Sequence, residues 1–189
     1  MKSSFKTQNR AIGKGLYFLF IAEALGLLSL VPMMGTVMTV ASALVSIYAL
    51  YMLNKADGKY RVPFILTILD VVLAILYSYS VLAGLHDNIC IVLLSTMYIL
   101  KAVMVFFICT TTAKLPRGLD PALAEQASWV WKVVLFSDLL AAARALLVNA
   151  PETIYTTDMM NSLAPLISVA ATVIYLVFLW KSQKILQKD

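Results

Sequence analysis

Long, continuous apolar stretches alternate with short polar segments along the chain. Six stretches approach the roughly 20 apolar residues that a helix needs to cross a hydrocarbon core about 30 Å thick. They cover residues 15–34, 36–53, 62–84, 89–112, 129–149 and 162–180. A transmembrane barrel would instead show segments of about ten residues with alternating polarity. The pattern predicts an all-α fold: a polytopic integral membrane protein built as a compact bundle of six transmembrane helices.

Short connections join the apolar stretches, so consecutive helices are expected to be antiparallel neighbours in one bundle. We predict three parts along the chain. A basic cytoplasmic tail covers 1–14, a single six-helix transmembrane domain covers 15–181, and a second basic tail covers 182–189.

Turn and capping residues predict where several helices begin and end. Asp57-Gly58 is a turn pair that would close the second helix. Asp120-Pro121 would start the fifth helix as an N-cap followed by proline at the first helical position. Pro165 is expected in the first turn of the sixth helix, where its missing N–H costs little.

The basic residues indicate the orientation, because Lys and Arg concentrate in cytoplasmic loops. Both tails and the connections after the second and fourth helices contain Lys or Arg, whereas the other three connections contain neither. The twelve basic residues outside the spans are Lys2, Lys6, Arg10, Lys14, Lys55, Lys59, Arg61, Lys114, Arg117, Lys181, Lys184 and Lys188. This alternation predicts six crossings of a cell membrane with both termini in the cytoplasm.

Composition excludes an ordinary soluble protein. The chain is 61% hydrophobic and 13% charged, whereas soluble domains are roughly 45–50% apolar and about 25% charged. A soluble fold would expose that surplus as large apolar patches. The net charge of +5 follows from the basic cytoplasmic side and would attract anionic lipid. This charge does not indicate a nucleic-acid partner, since no soluble segment is long enough for a basic binding module. The predicted partner is the lipid bilayer.

Ionisable side chains within the spans are the main candidates for function, because buried charges must face the bundle interior, a wet cavity or each other. Glu23, Asp70 and Asp138 lie on the first, third and fifth helices, each roughly 13 Å from the cytoplasmic boundary. Lys101, on the fourth helix, has a stem long enough to reach any of them. We therefore predict a carboxylate–Lys101 network that binds a substrate or a proton. Arg144 lies near the outer end of the fifth helix and is expected to extend to the outer interface.

The acids also occur in similar local sequences. Residues 19–23 (LFIAE) and 66–70 (LTILD) align without a gap, and 135–138 (LFSD) is one residue short. The partner helices carry one tyrosine each at comparable places: Tyr48, Tyr98 and Tyr175. Three hairpins with an acid on the first arm and a tyrosine on the second would form a pseudo-threefold bundle, although coincidence explains the pattern equally well. These tyrosines, together with Arg144, are secondary site candidates.

Sequence motifs for enzyme chemistry are missing. Cys90 and Cys109 are nineteen residues apart on the fourth helix, roughly 28 Å along its axis and beyond disulfide reach. His86 is the single histidine, and the chain has no Cys-x-x-Cys, His-Glu-x-x-His or Gly-x-Ser-x-Gly sequence. No metal site, cofactor or enzymatic activity is predicted.

Three functions stay open on these grounds. The first is a transporter for a small molecule or ion, solute-specific or proton-coupled, that uses its intramembrane carboxylates. The second is a non-catalytic membrane subunit that works with an ATPase or another membrane protein. The third is a structural, immunity or sensor protein, in which the buried charges only fix the register of the helices.

The second function is linked to a resemblance. Ala22-x-x-x-Gly26, the chain length, the six spans and the cytoplasmic termini are similar to the substrate-binding S components of energy-coupling-factor vitamin transporters. The resemblance implies a substrate-binding subunit that docks on an ATPase module, and it carries over no ligand residue. The glycine-rich character of those proteins is missing, since this chain has seven glycines.

Overall fold

The structure is a computed structural model that describes residues 2–31, 33–114, 121–147 and 154–188. It contains six long helices: α1 (Lys2–Leu28), α2 (Gly35–Ala56), α3 (Arg61–Leu82), α4 (Asp87–Lys114), α5 (Pro121–Leu147) and α6 (Ile154–Lys188). A 3-10 turn, Gly58–Tyr60, leads into α3. Within the described ranges no residue forms a β-strand. The predicted all-α fold class is confirmed.

Five of the described helices are long and apolar enough to cross a membrane. These five segments are Thr7–Leu28, Gly35–Ala56, Gly58–Leu82, Asp87–Lys114 and Ser162–Gln187. Helix α5 is not among these five segments, and its described part contains Lys132, Asp138 and Arg144. The fifth of the six predicted crossings and the orientation of the termini both stay predictions.

Helix ends agree with the turn residues at two places and differ at a third. Helix α2 ends at Ala56 and is capped by Asp57, and α5 begins at Pro121 as predicted; its predicted cap, Asp120, lies outside the described residues. The prediction for Pro165 was wrong, because α6 begins at Ile154 and Pro165 lies well inside it. The polar residues before Pro165 continue the same helix, so hydropathy located the apolar part of α6 and not its start.

The terminal segments also continue as helix beyond the predicted spans. Helix α1 begins at Lys2, and α6 extends to Lys188. Ile12 and Leu186, which belong to the predicted tails, are completely buried. A methyl group placed on Gly13 would lie 3.1 Å from Gln187. The tails therefore pack against each other because their apolar residues extend the α1–α6 contact past the apolar spans.

The helices form a ring in chain order. Each helix packs against the next, from α1 with α2 to α5 with α6, and α6 packs against α1 to close the ring. Helices α1 and α2 are antiparallel: Gly15 approaches Leu53 while Ala22, further along α1, contacts Ser42, which is earlier in α2. The Ser42 hydroxyl donates a 2.8 Å hydrogen bond to the Ala22 carbonyl. The small residues of the Ala22-x-x-x-Gly26 segment thus face α2 and allow close packing within the chain.

Along the helix axes, the two halves of the bundle are packed differently. The half that contains both termini, which we call the termini half, holds the largest fully buried side chains of the described residues. These are Tyr60, Tyr175, Phe178, Ile12, Leu16, Leu19, Leu50, Leu53, Ile108, Leu179, Leu186 and Val105. In the opposite half, called the far half, the buried apolar residues include Ala142, Ala145 and Ala164. Small side chains fill less volume, so the far half has room for a cavity between its helices.

Candidate functional site

The candidate site begins with four charged residues on four different helices. Glu23 of α1 and Lys101 of α4 form an ion pair, with 3.9 Å between the carboxylate Oε2 and the ammonium Nζ. Lys101 also interacts electrostatically with Asp138 of α5 and Asp70 of α3. Both of these acids are in turn within electrostatic range of Glu23. The structure thus brings the four predicted primary site residues together, and we call them the charge cluster.

The members of the charge cluster differ in their access to solvent. Asp138 is 5% exposed, and its Oδ2 atom has no hydrogen-bond partner among the described residues. The side chain of Glu23 is 11% exposed, whereas that of Lys101 is 38% exposed. Buried carboxylate oxygens are nearly always hydrogen-bonded, so the unpartnered Asp138 oxygen is an unusual feature. The cluster therefore has a buried acidic side and a cationic side that faces open space.

The open space next to Lys101 is a cavity of about 310 Å³ in the far half. Helices α1, α4, α5 and α6 form its walls. The lining residues are Gly26, Leu27, Leu30, Tyr98, Lys101, Ala141, Arg144, Ala164, Pro165, Ser168, Val169 and Thr172. Lys101 belongs both to this lining and to the charge cluster, so it connects the cavity to the buried acids.

The secondary candidates occupy different environments. Tyr98, one helical turn from Lys101, lines the cavity. Tyr175 is 1% exposed in the packed core, and its hydroxyl has no hydrogen-bond partner among the described residues. Tyr48 is 50% exposed and contacts Phe18 edge-on with ring centroids 5.2 Å apart. The three tyrosines therefore differ in their exposure and their contacts, and the three-hairpin repeat stays a hypothesis.

Arg144 has a position that the sequence did not indicate. We expected its side chain to extend to the outer interface, which stays a prediction; in the structure Arg144 lines the cavity together with Lys101. The helical rise puts Arg144 roughly 9 Å beyond Asp138 on α5. Its partial burial is consistent with a position between the bundle interior and the surface.

Sequence reasoning missed the contribution of α6 to the cavity. Ala164, Pro165 and Ser168 of α6 line the cavity. Small residues at helical spacing do not reveal whether a neighbouring helix fills the space beside them. Among the described residues, no group of three or more His, Cys, Asp and Glu side chains is placed to hold a metal ion.

Comparisons with known proteins identify no relative: no protein-family model matches the chain, and neither a similar curated sequence nor a similar solved structure was found. The function is therefore inferred from the charge cluster and the cavity.

Proposed function

We propose that this protein is a small proton-coupled membrane transporter, in which Glu23, Asp70 and Asp138 exchange a proton and Lys101 is their shared counter-ion. The observation that carries the proposal is the position of Lys101. Its ammonium pairs with Glu23 at 3.9 Å, and the same side chain lines the cavity in the far half. A solute in the cavity and a proton on one of the acids would thus both change the interactions of Lys101.

The balance of charges in the cluster supports proton exchange. Three carboxyl groups interact electrostatically with a single ammonium group, so ionisation of all three would place surplus negative charge inside an apolar bundle. Unbalanced charge at membrane depth is costly, and ionisable residues there commonly bind protons or substrates. Binding a proton to one of the acids removes part of that surplus, and releasing it restores the charge.

A purely structural role fits the cluster less well. A buried ion pair that only fixes helix register needs good geometry and fully satisfied hydrogen bonds. Here the Asp138 oxygen Oδ2 has no partner among the described residues, and Lys101 keeps 38% of its side chain exposed. These features favour a cluster whose ion pairs rearrange during function over one whose ion pairs are fixed.

The packing of the two halves supports an alternating-access mechanism. In the described structure large buried side chains form the core of the termini half, although grooves of about 260 and 280 Å³ lie against α5 in that half. The far half contains the cavity beside the charge cluster. With the predicted orientation, the cavity faces away from the cytoplasm. Transport would require the packed contacts of the termini half to separate while the far half closes around the charge cluster.

Proton movement in reconstituted vesicles tests the proposal. Purified protein is placed in proteoliposomes that enclose a pH-sensitive dye, and small anionic, cationic and neutral solutes are added one at a time. We expect at least one solute to acidify the vesicle interior. Glu23→Gln, Asp70→Asn and Asp138→Asn should each reduce that acidification at least tenfold, because an amide has a similar shape but carries no exchangeable carboxyl proton.

The matched control is Glu125→Gln, since Glu125 is an exposed acid on α5 outside the charge cluster. This variant should transport like the unchanged protein. The proposal is overturned if no solute moves protons, or if all three cluster variants keep the full rate. Lower thermal stability of the cluster variants, in a protein that moves no protons with any solute, would support the structural role instead.

A further inference from the structure

Two grooves lie side by side near the C-terminal end of α6. The first, which we call the apolar groove, measures about 360 Å³ between α1 and α6 and is lined by Phe20, Val173, Leu176, Val177 and Trp180. The second, which we call the lysine groove, measures about 280 Å³ between α5 and α6 and is lined by Ala122, Leu123, Gln126, Lys181, Lys184 and Ile185. Neither groove belongs to the charge cluster or its cavity.

Lys184 connects the two grooves. Its ammonium Nζ lies over the Trp180 ring, 4.6 Å from the ring centroid, and the same Trp180 ring packs against Phe20 with centroids 5.3 Å apart. Residues three or four positions apart share one face of a helix. On α6 the exposed residues with this spacing are Val173, Val177, Trp180 and Lys184. The surface therefore changes from apolar to cationic along a single helix face.

The charge of the lysine groove is not neutralised by the described part of the chain. Lys181 donates a 3.5 Å hydrogen bond to the neutral side-chain oxygen of Gln126, and an ammonium group has three donors. Within the described ranges neither Lys181 nor Lys184 forms an ion pair. Glu125, the neighbouring acid on α5, is not among the lining residues. Two cationic groups are therefore available to one anion.

We propose that the two grooves together bind one anionic phospholipid, with its phosphate on Lys181 and Lys184 and one acyl chain along the apolar groove. Tryptophan rings prefer the membrane–water interface, and lysines just beyond that interface attract anionic lipid. From Val173 to Trp180 the apolar groove extends roughly 10 Å along the helix axis. One leaflet of hydrocarbon is roughly 15 Å deep, so the groove covers the upper part of an acyl chain. The lipid site is independent of the proposed proton transport.

Two other occupants match the grooves less well. A soluble anion would contact the lysines and leave the apolar groove uncovered. A second copy of the chain, related by a twofold axis along the membrane normal, would place its own Lys181 and Lys184 at the same height. Such a dimer would bring like charges together across the contact. A lipid is the occupant that has an acyl chain for one groove and a negative charge for the other.

Native mass spectrometry tests the site on the unchanged protein. Delipidated protein in detergent is mixed with equal amounts of phosphatidylglycerol and phosphatidylcholine that carry the same acyl chains. Both lipids contain a phosphate, but only phosphatidylglycerol has a net negative charge. We expect one phosphatidylglycerol per chain, bound at least fivefold more tightly than phosphatidylcholine. An excess of glycerol 3-phosphate, which lacks acyl chains, should not displace it.

Lysine variants locate the site. Lys181→Gln and Lys184→Gln should each weaken phosphatidylglycerol binding about fivefold, as expected for the loss of one lysine beside an anionic lipid. Lys132→Gln is the matched control, because Lys132 is an exposed lysine of α5 that also lies over a tryptophan ring, 5.8 Å from the Trp131 centroid, but lines neither groove. This control should bind normally, and melting temperatures of all variants identify any loss of folding.

Fluorescence tests the position of the acyl chain. In a Trp129→Phe, Trp131→Phe background Trp180 is the remaining tryptophan. Phosphatidylglycerol brominated on its acyl chains should quench Trp180 more strongly than brominated phosphatidylcholine at the same mole fraction in nanodiscs. Lys184→Gln in this background should remove the difference. Equal quenching by the two lipids contradicts the site.

Four results of mass spectrometry would also overturn the proposal. They are equal binding of the two lipids, displacement of the lipid by glycerol 3-phosphate, a lipid-free dimer as the main species, and a loss of binding in Lys132→Gln as large as in the two groove variants. The last result would show that anionic lipid is attracted by overall charge and not by this site. Vesicles in which no solute moves protons would contradict the proposed function and leave the lipid site unaffected.

Discussion

The ion pair between Glu23 and Lys101 is expected to stabilise the bundle more than a surface ion pair of the same length. Two pairs in this structure allow the comparison, because the Lys101–Glu23 and Lys59–Asp57 pairs both have an N–O distance of 3.9 Å. The two carboxylates are similarly buried, with 12% of the Asp57 side chain and 11% of the Glu23 side chain exposed, so the pairs differ at the lysines: the Lys59 side chain is 64% exposed and that of Lys101 is 38% exposed. Any difference in coupling energy therefore reports the environment of the charges and not their separation.

The magnitude follows from the distance and the exposure. Two unit charges 3.9 Å apart attract each other by about 4 kcal/mol at an effective dielectric constant of about 20. Solvent at Lys101 screens part of this attraction, so we expect a coupling energy of about 1–3 kcal/mol. Exposed pairs contribute roughly 0.2–1 kcal/mol, which is the range expected for Lys59–Asp57.

The assay is a double-mutant cycle for each pair. The free energy of unfolding in mixed micelles is measured for Glu23→Gln, Lys101→Met and the double variant, and for Asp57→Asn, Lys59→Met and their double variant. The first cycle should be non-additive, with the double variant more stable than the sum of the single changes predicts. At roughly 2–4 °C of melting temperature per kcal/mol for a chain of this size, the effect is measurable. Equal coupling in the two cycles, or additivity within about 0.5 kcal/mol in the first, would refute the electrostatic argument.

Two further predictions concern packing between the helices. Gly15→Ala should be less stable than Gly26→Ala by about 1–3 kcal/mol. A methyl group on Gly15 would lie 2.7 Å from the Leu53 side chain, whereas a methyl group on Gly26 would lie 3.5 Å from its nearest neighbouring atom. Equal melting temperatures of the two variants would contradict the close approach of α1 and α2. Tyr60→Phe should cost about 1–3 kcal/mol, because it leaves the buried Thr112 hydroxyl without its 2.9 Å partner. Adding Thr112→Val should recover most of the loss in thermal unfolding, and failure to recover it would show that the hydrogen bond is not the cause.

Much of the fold follows from local properties of the chain. Hydropathy and the length needed to cross a membrane located the apolar parts of all six helices, and Asp57 and Pro121 marked two of their ends. The helix starts were less accurate, as the misplaced Pro165 shows. The polar residues between Ile154 and Pro165 have no hydrophobic signal, yet they continue α6.

The candidate site was only partly accessible to sequence reasoning. Glu23 and Asp138 could be placed at similar depths, because depth depends only on the number of residues from the helix end. Their contact with Lys101 required the rotation of each helix about its axis, which packing against neighbours determines. Similar spacing also suggested that Tyr48 and Tyr175 were equivalent, whereas one is half-exposed and the other is buried.

The amino-acid pattern alone was sufficient for the all-α fold class, the number of long helices and their approximate positions. All of these depend on composition and on distance along one helix. The pairing of Lys101 with Glu23 and the presence of Arg144 in the same cavity emerged only from the assembled ring. The reason is physical: a cavity is space that the side chains of several helices leave unfilled. The sequence of one helix does not determine how far the side chains of its neighbours extend into that space.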